Sequence, residues 1–150
     1  MRVYLVVIDE TQEAHSALRF AARRAVDTQG AVHILALVPK QAFNAFGGIQ
    51  ATIEEEARDR AEVLANSAAG ELMSESGLMP QIAVREGDGK TVINEYLSEH
   101  PEVAALVLGA AAEGNPGPLV SHFSTSSGQL PCPLIIVPGA LSDEEIDRLS

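Results

Sequence analysis

Basic residues are scarce in this sequence. Its 150 residues include 10 Lys and Arg against 21 Asp and Glu, which gives a formal net charge of −11 at pH 7. Proteins that bind nucleic acid neutralise phosphates with clustered Lys and Arg, and docking on an anionic membrane uses the same cations. The charge balance therefore predicts a protein that binds neither nucleic acid nor a membrane surface.

Cysteine and long apolar runs are also scarce. The one cysteine, Cys132, has no second thiol for an internal disulfide, and with four scattered histidines it does not form a zinc-binding pattern. The first apolar run stops at Asp9, too short for a signal peptide, and no run reaches the roughly 18 residues that span a bilayer. We therefore expect a cytoplasmic protein.

Aromatic residues make up only 4% of the chain, whereas hydrophobic residues of all kinds make up 46%. This composition predicts a sizeable core built from small and branched side chains. Two separate cores would each have about 75 residues, which is marginal for burial. We expect one domain over residues 1–139, followed by an acidic, solvated helical tail over 140–150 that opens with a capping box from Ser142 to Glu145.

Strands and helices are predicted to alternate along the chain. The predicted strands are 3–8, 31–38, 81–85, 103–108 and 133–137. The run at 81–85 is weaker and alternates with polar residues, as in an edge strand. Apolar residues at helical spacing fill the intervening segments, including a long helix at 52–75 and a shorter one at 119–130. This order is typical of a Rossmann-like α/β domain, an open parallel sheet with helices on both faces.

Open parallel sheets bind ligands at the carboxyl ends of their strands. The loops to consider are therefore 9–12, 38–50, 86–90 and 109–121. The second of them contains Phe43, Phe46 and the pair Gly47-Gly48. We expect its aromatic rings to fold back as a lid or to pack in a partner interface.

These loops hold no standard catalytic motif. The first loop lacks the glycine-rich dinucleotide fingerprint, and the chain has neither a Walker lysine motif nor a G-x-S-x-G nucleophile elbow. No nucleophile–base pair is visible. We predict a protein that is not an enzyme and that has no catalytic or metal-binding residues.

The four histidines differ in their expected settings. His33 alternates with apolar strand residues, so we expect it to be packed or hydrogen-bonded inside the fold. His100 and His15 are expected on exposed helix surfaces. His122 is the one titratable cation near the loop 109–121.

Several segments together resemble the universal stress protein family. They are Val7-Ile8-Asp9 followed by 17–22, then 33–39, Glu86-Gly87-Asp88, 106–109 and 131–138. The resemblance covers nearly the whole chain. It implies a five-stranded parallel sheet in the order 3-2-1-4-5 and, in one branch of the family, a site for ATP or AMP. It also implies a homodimer formed through the last strand, at Leu134, Ile135, Ile136 and Val137.

The resemblance implies a set of nucleotide-binding residues. They are Asp9, Thr11, Val38, Gly109, Gly114, Gly117 and Ser121. Asp9 matches the family's acid after the first strand, and Val38 matches the backbone position that faces adenine. Gly109 matches the first glycine of the phosphate motif, whereas the second glycine is replaced by Ala112. Gly114 and Gly117 supply a shifted glycine pair.

The glycine loop offers little charge to a phosphate. Between Gly109 and Ser121 there is no Lys or Arg, and Pro116 and Pro118 lack backbone N–H donors. Binding would depend on the N-terminus of the helix near Leu119 and on the Ser121 hydroxyl. A triphosphate would need a magnesium ion or another source of positive charge, whereas a monophosphate or a nucleoside is less demanding.

Three functions follow from these observations. The first is a non-catalytic stress-response protein that binds an adenine nucleotide in a degenerate pocket. The second is a dimeric interaction module that has lost the ligand. The third is a slow nucleotide hydrolase in which Asp9 holds a metal, and the lack of Lys and Arg in the glycine loop makes it the weakest.

Overall fold

The structure, a computed structural model, describes residues 1–39 and 52–150, and for residues 47–51 the backbone alone. Its strands are β1 (Val3–Ile8), β2 (Ala31–Val38), β3 (Gln81–Glu86), β4 (Val103–Ala110) and β5 (Leu134–Pro138). Its helices are α1 (Gln12–Thr28), α2 (Gly47–Ser76), α3 (Gly89–Glu99), α4 (Pro118–Thr125) and α5 (Asp143–Leu149). Five parallel strands form one sheet in the order β3-β2-β1-β4-β5, which confirms the predicted fold class and strand order. No described helix is both long and apolar enough to cross a bilayer.

The central strand β1 is buried along its whole length. It pairs with β2 from Val3↔Ala31 to Ile8↔Ala36 and with β4 on its other side. Its unbroken apolar run fits a strand covered on both faces. The edge strand β3 is more exposed and carries Ile82 at 38% exposure, as its alternating sequence predicted.

Each face of the sheet has its own hydrophobic layer. On one face, α1 packs through small side chains such as Ala17, Ala21 and Ala25, which let the helix lie close to the sheet. On the other face, α3 and α4 contribute the fully buried rings of Tyr96 and Phe123. Alanines therefore form much of the α1 layer, which also contains Tyr4 and the partly buried Phe20, and larger side chains form the other layer.

The long helix α2 begins at Gly47, earlier than the predicted start at residue 52. The pair Gly47-Gly48 is therefore helical and not part of a loop. Glycine costs a helix about 1 kcal/mol relative to alanine, a local preference that a helix of 30 residues can override. Phe43 and Phe46, predicted to form a lid or an interface, lie outside the described residues.

The helix predicted over 119–130 is divided. α4 ends at Thr125, and a separate 3₁₀ turn covers Ser127–Gln129. The hydroxyl groups of Thr125 and Ser126 donate to the carbonyl oxygens of Ser121 and His122, at 2.9 and 3.1 Å. Side chains that bond to nearby backbone in this way weaken a continuous helix.

The acidic tail packs on the domain. Its capping box at Ser142 and Glu145 is present as predicted, and Ile146 is fully buried. Arg19 of α1 donates from Nε and Nη2 to the two carboxylate oxygens of Asp147, each at 2.8 Å. Asp147 is therefore engaged by α1, contrary to the solvated role expected of the tail acids.

Candidate functional site at the carboxyl ends of β1 and β4

The candidate site lies where the strand order reverses. From β1 the chain proceeds to β2 and β3 on one side, and it then crosses to β4 on the other side. The carboxyl ends of β1 and β4 diverge at this point, which is where open α/β sheets bind ligands. Asp9 follows β1 directly, and Gly109 lies near the end of β4.

Asp9 and Thr11 organise the start of α1. Thr11 is the N-cap, because its Oγ1 accepts a hydrogen bond from the backbone N–H of Ala14 at 3.3 Å. Oδ1 of Asp9 accepts in turn from the backbone N–H of Thr11 at 2.9 Å and from its hydroxyl. The Asp9 side chain nevertheless remains exposed at the site.

A groove of about 150 Å³ lies between β1, β4, α1 and α4. We call it the glycine-loop groove. Four of the predicted residues border it together, Asp9, Thr11, Gly109 and Gly117. Its remaining walls are largely apolar and come from Val7, Ala14, Leu108, Pro116, Pro118, Leu119 and Val120, with one further acid, Glu13.

The other three predicted residues do not border this groove, although all lie in the described part of the chain. Val38 is buried, and its carbonyl oxygen accepts a hydrogen bond from the N–H of Gly87 at 3.2 Å. Gly114 forms an exposed turn with φ of +71°. Ser121 lies within α4, where its N–H donates to the carbonyl oxygen of Gly117 at 3.0 Å.

Gly109 has a packing role that its sequence motif does not indicate. A Cβ atom at this position would lie 1.9 Å from the carbonyl oxygen of Glu13 in α1. Only glycine therefore allows the first turn of α1 to lie against the end of β4. The close approach alone accounts for a glycine here, with or without a bound phosphate.

The glycine loop uses two of its backbone hydrogen-bond donors within the loop itself. The N–H of Gly117 donates to Oδ1 of Asn115 at 2.9 Å, and the N–H of Ala111 donates to the carbonyl oxygen of Pro116 at 3.1 Å. Pro118, the first residue of α4, has no N–H. By helix geometry, the N–H groups of Leu119 and Val120 are left without an intrahelical acceptor.

The charge around the glycine-loop groove opposes anions. Asp9 and Glu13 both border it, and no Lys or Arg of the described residues does. His122 of α4 is half-buried and lies edge-on to the ring of Phe123, and it does not border the groove. A phosphate at this position would meet two carboxylates and two backbone donors.

A second groove, of about 270 Å³, lies on the other side of Asp9. We call it the α2 groove. Its walls are formed by Leu37 of β2, by Pro39 just after that strand, and by Ala57, Ala61 and Leu64 of α2. Its charged residues are Asp9, Glu10 and Arg60. The two grooves thus share Asp9 and Thr11, and among the described residues only the α2 groove contains a cation.

Arg60 was missed by the sequence analysis. Arg60 is not among the residues that the sequence predicted for the site, and its side chain is exposed. The available signal was its position beside the apolar stripe, between Ala57 and Leu64. The sequence could not indicate that this part of the helix lies beside the loop after β1.

A third groove, of about 170 Å³, also reaches Asp9. It contains His15, whose Nδ1 lies 3.0 Å from a carboxylate oxygen of Glu71. Among the described residues, no group of three or more His, Cys, Asp or Glu side chains is placed to hold a metal ion.

The model of the universal stress protein family matches residues 1–138. The chain belongs to this family. A comparison with curated proteins found no match. The resemblance drawn from the sequence segments is therefore confirmed by the match over nearly the whole chain.

Solved structures of the family share the fold. The universal stress protein UspA from Lactobacillus plantarum superposes with a TM-score of 0.77 at 21% identity, over 91% of this chain and 97% of that one. The protein from Archaeoglobus fulgidus in complex with dAMP has a TM-score of 0.61 at 15% identity, over 91% of this chain and 97% of that one. A family protein from Arabidopsis thaliana with AMP bound has a TM-score of 0.62 at 14% identity, over 96% of this chain and 95% of that one.

Proposed function

We propose that this chain is a non-catalytic, cytoplasmic stress-response protein that binds one adenine nucleotide and acts as a homodimer. The observation that carries the proposal is the exposed Asp9 at the reversal point of the sheet, flanked by two partly apolar grooves. Family structures with AMP, dAMP and cAMP support an adenine ligand.

The grooves suit the parts of a nucleoside. Ligand sites of this kind combine apolar walls with a few polar groups that fix orientation. Leu37 and Leu64 in one groove, and Leu119 in the other, offer apolar surface to a flat base. The carboxylate of Asp9 faces both grooves and can accept hydrogen bonds from ribose hydroxyl groups.

The charge of the site favours a ligand that carries few phosphate groups. Asp9 and Glu13 lie in the glycine-loop groove, and Asp9 and Glu10 lie in the α2 groove. A triphosphate would place several negative charges beside these carboxylates, and a magnesium ion would then be needed to offset them. We therefore propose AMP or a similar monophosphate as the ligand, with magnesium relevant only to a triphosphate.

The first test is ligand binding by the intact protein. We expect nucleotide released from the heat-denatured protein to be identified as AMP by mass, and added AMP to raise the melting temperature. At AMP 100 times above its Kd, binding adds about 2.7 kcal/mol of stability. At about 2–4 °C per kcal/mol, the melting temperature should rise by roughly 5–10 °C.

Variants at Asp9 separate its role in the fold, as acceptor for the Thr11 N–H, from its proposed role as acceptor for the ribose hydroxyl groups. Asp9→Asn keeps an oxygen that can accept from the Thr11 N–H, so we expect the fold to be retained. It loses the charge that strengthens hydrogen bonds to ribose, so adenosine should bind roughly tenfold more weakly. Asp9→Ala removes both. A ligand-free protein whose melting temperature ignores adenosine, AMP and ATP, with and without magnesium, would refute nucleotide binding.

A specific observation favours the second candidate, an interaction module without a ligand. The donors of Gly117 and Ala111 are satisfied within the loop, and Gly109 is explained by its contact with α1. A chain that had lost the nucleotide could keep all three features. The melting experiment decides between the two candidates, because only the first predicts a shift.

The absence of catalysis is tested separately. We expect no phosphate release from ATP with magnesium above that of a buffer blank. Slow release that Asp9→Ala abolishes would instead support the hydrolase, the third candidate.

A further inference from the structure

The side chain of Asn115 contacts residues of the glycine loop that the family resemblance implies in nucleotide binding. Asn115 lies between Gly114 and Gly117 in the sequence, and α4 begins directly after Gly117. Its Oδ1 accepts a hydrogen bond from the N–H of Gly117 at 2.9 Å. The hydroxyl of Ser121 donates to the same oxygen at 3.5 Å, a longer and weaker contact. One side-chain oxygen thus engages donors of two predicted nucleotide-binding residues.

A phosphate would need the donors that Asn115 engages. Backbone N–H groups at the start of a helix, together with a nearby hydroxyl, bind phosphate oxygens without a cation. Pro118 supplies no N–H at the start of α4, and the N–H of Gly117 is directed to Asn115. Asn115 and Ser121 are both exposed, so a ligand can reach this position. A phosphate that binds through Gly117 and Ser121 must therefore displace the Asn115 oxygen.

The loop restricts Asn115 to this position. Pro116 follows Asn115 directly, and Pro118 follows Gly117. The residue before a proline is restricted to extended conformations, so the loop has few alternatives. The N–H of Ala111 also donates to the carbonyl oxygen of Pro116 at 3.1 Å, which closes the loop at its base. Asn115 therefore loses little conformational entropy when it contacts its two donors.

The charge beside the loop favours a neutral acceptor over an anion. Asp9 and Glu13 border the adjacent glycine-loop groove, and no Lys or Arg of the described residues does. These carboxylates would repel a phosphate, whereas the amide oxygen of Asn115 has no net charge. Asn115 thus satisfies donors at the start of α4 without adding a negative charge to an acidic site.

We propose that Asn115 is a specificity-determining residue, whose side-chain oxygen occupies the position that a phosphate oxygen of the nucleotide would take. This inference rests on the proposed nucleotide function. The phosphate of AMP must replace hydrogen bonds that Asn115 already makes. AMP therefore binds the native protein only slightly more tightly than adenosine does, and Asn115 sets the size of that difference.

The test measures the affinities of adenosine and AMP by isothermal titration calorimetry with the intact chain. Asn115→Ala frees the two donors, so we expect it to bind AMP roughly fivefold more tightly than the native protein does. Asn115→Asp keeps an acceptor and adds a charge beside the phosphate, so we expect it to bind AMP roughly tenfold more weakly. The affinity for adenosine should change less than about twofold in both variants.

Asn94→Ala is the matched control for the loss of an asparagine side chain. Asn94 is exposed on α3 and borders neither the glycine-loop groove nor the α2 groove. We expect this variant to bind adenosine and AMP as the native protein does.

Each result bears on a different claim. If the native protein binds AMP and Asn115→Ala binds it no more tightly, the inference is wrong and the proposed function stands. If Asn115→Ala binds adenosine and AMP more weakly by the same factor, Asn115 maintains the shape of the loop and does not compete with a phosphate, so the inference is again wrong. If neither protein binds either compound, the proposed function fails, and the inference fails with it.

Discussion

Among single residues, His33 has an unusual setting for a titratable group. It is buried in β2, and its Nδ1 lies 2.8 Å from the hydroxyl oxygen of Tyr96. The ring of His100 stacks on Tyr96 with 3.9 Å between ring centroids, and Nδ1 of His100 lies 2.9 Å from the Tyr96 carbonyl oxygen. The expectation of a hydrogen-bonded His33 is confirmed. His100, expected on an exposed helix surface, is instead half-buried at the end of α3.

This setting makes stability depend on pH. Burial lowers the pKa of His33, the nearby His100 lowers it further, and Glu102 acts in the opposite direction. Below its ordinary pKa of about 6.5, the unfolded chain therefore binds a proton at this residue more readily than the folded chain does. The contribution of the neutral His33 to the free energy of unfolding is therefore complete above that pH. It decreases as the pH drops towards the lower pKa of His33 in the folded state.

We expect His33→Gln to reduce the pH dependence of the free energy of unfolding between pH 7 and pH 5. One proton contributes a slope of at most about 1.4 kcal/mol per pH unit. Urea denaturation at a series of pH values measures it. His122→Gln is the control, since this half-buried histidine has no part in the Tyr96 cluster. Parallel pH curves for the native protein and His33→Gln would contradict the argument.

At the scale of elements, α5 is held to α1 by the bidentate ion pair between Arg19 and Asp147 and by the buried Ile146. Longer ion pairs join Arg19 to Asp143 at 3.7 Å and Arg23 to Asp147 at 3.6 Å. The hydrogen bond from Arg19 lowers the pKa of Asp147. The ion pair consequently contributes its whole stabilisation above the ordinary aspartate pKa of about 3.9. This stabilisation is lost as the pH falls through the lower pKa that Asp147 has in the folded protein.

Replacing Asp147 by Asn should therefore destabilise the protein by about 1 kcal/mol at neutral pH, because both side chains are partly exposed. The midpoint of urea unfolding measures this change. Glu144→Gln, on the exposed side of the same helix, should stay within about 0.5 kcal/mol. Equal effects of the two variants would mean that the ion pair contributes no more than the general charge of the tail.

The elements also show how far the sequence was informative. β1, β2 and β4 were predictable because strands buried on both faces form continuous apolar runs. The end of α4 was not, because it depends on hydroxyl groups that bond to the backbone at Thr125 and Ser126. The start of α2 was missed because local glycine preference predicted a loop at Gly47.

The site was predictable in part for a similar reason. Asp9 and Gly109 could be placed together because both lie at the carboxyl ends of parallel strands, and these ends share one edge of the sheet. Arg60 could not, since periodicity identifies the apolar face of a helix but not which loop that face adjoins. The role of Gly109 in packing depends on a distance between β4 and α1 that no local pattern contains.

At the scale of the whole molecule, β5 forms one edge of the sheet. Among the four residues implied in the dimer, Val137 is buried in the core, and Leu134 and Ile135 are partly packed against it. Ile136 is 39% exposed. The dimer remains a prediction, and Ile136 is the residue that can test it without disturbing the core.

We expect sedimentation to show a dimer for the native protein and a monomer for Ile136→Glu, with the fold retained in both. A carboxylate buried in the interface without a partner should cost about 3 kcal/mol or more. Ile82→Glu is the matched control, because Ile82 is 38% exposed on β3 at the opposite edge. A native monomer, or a dimer broken by Ile82→Glu and not by Ile136→Glu, would refute assembly through β5.

The contact between Gly109 and α1 has a consequence for how family members are sorted into nucleotide binders and non-binders. A glycine that the fold itself requires will survive after a binding function has been lost, so its presence is not diagnostic. Gly114 and Gly117 differ, since a Cβ atom there would meet nothing within 4 Å and only their left-handed φ angles, +71° and +111°, restrict replacement. Variation at these two positions is therefore the better marker of whether selection still acts on a ligand.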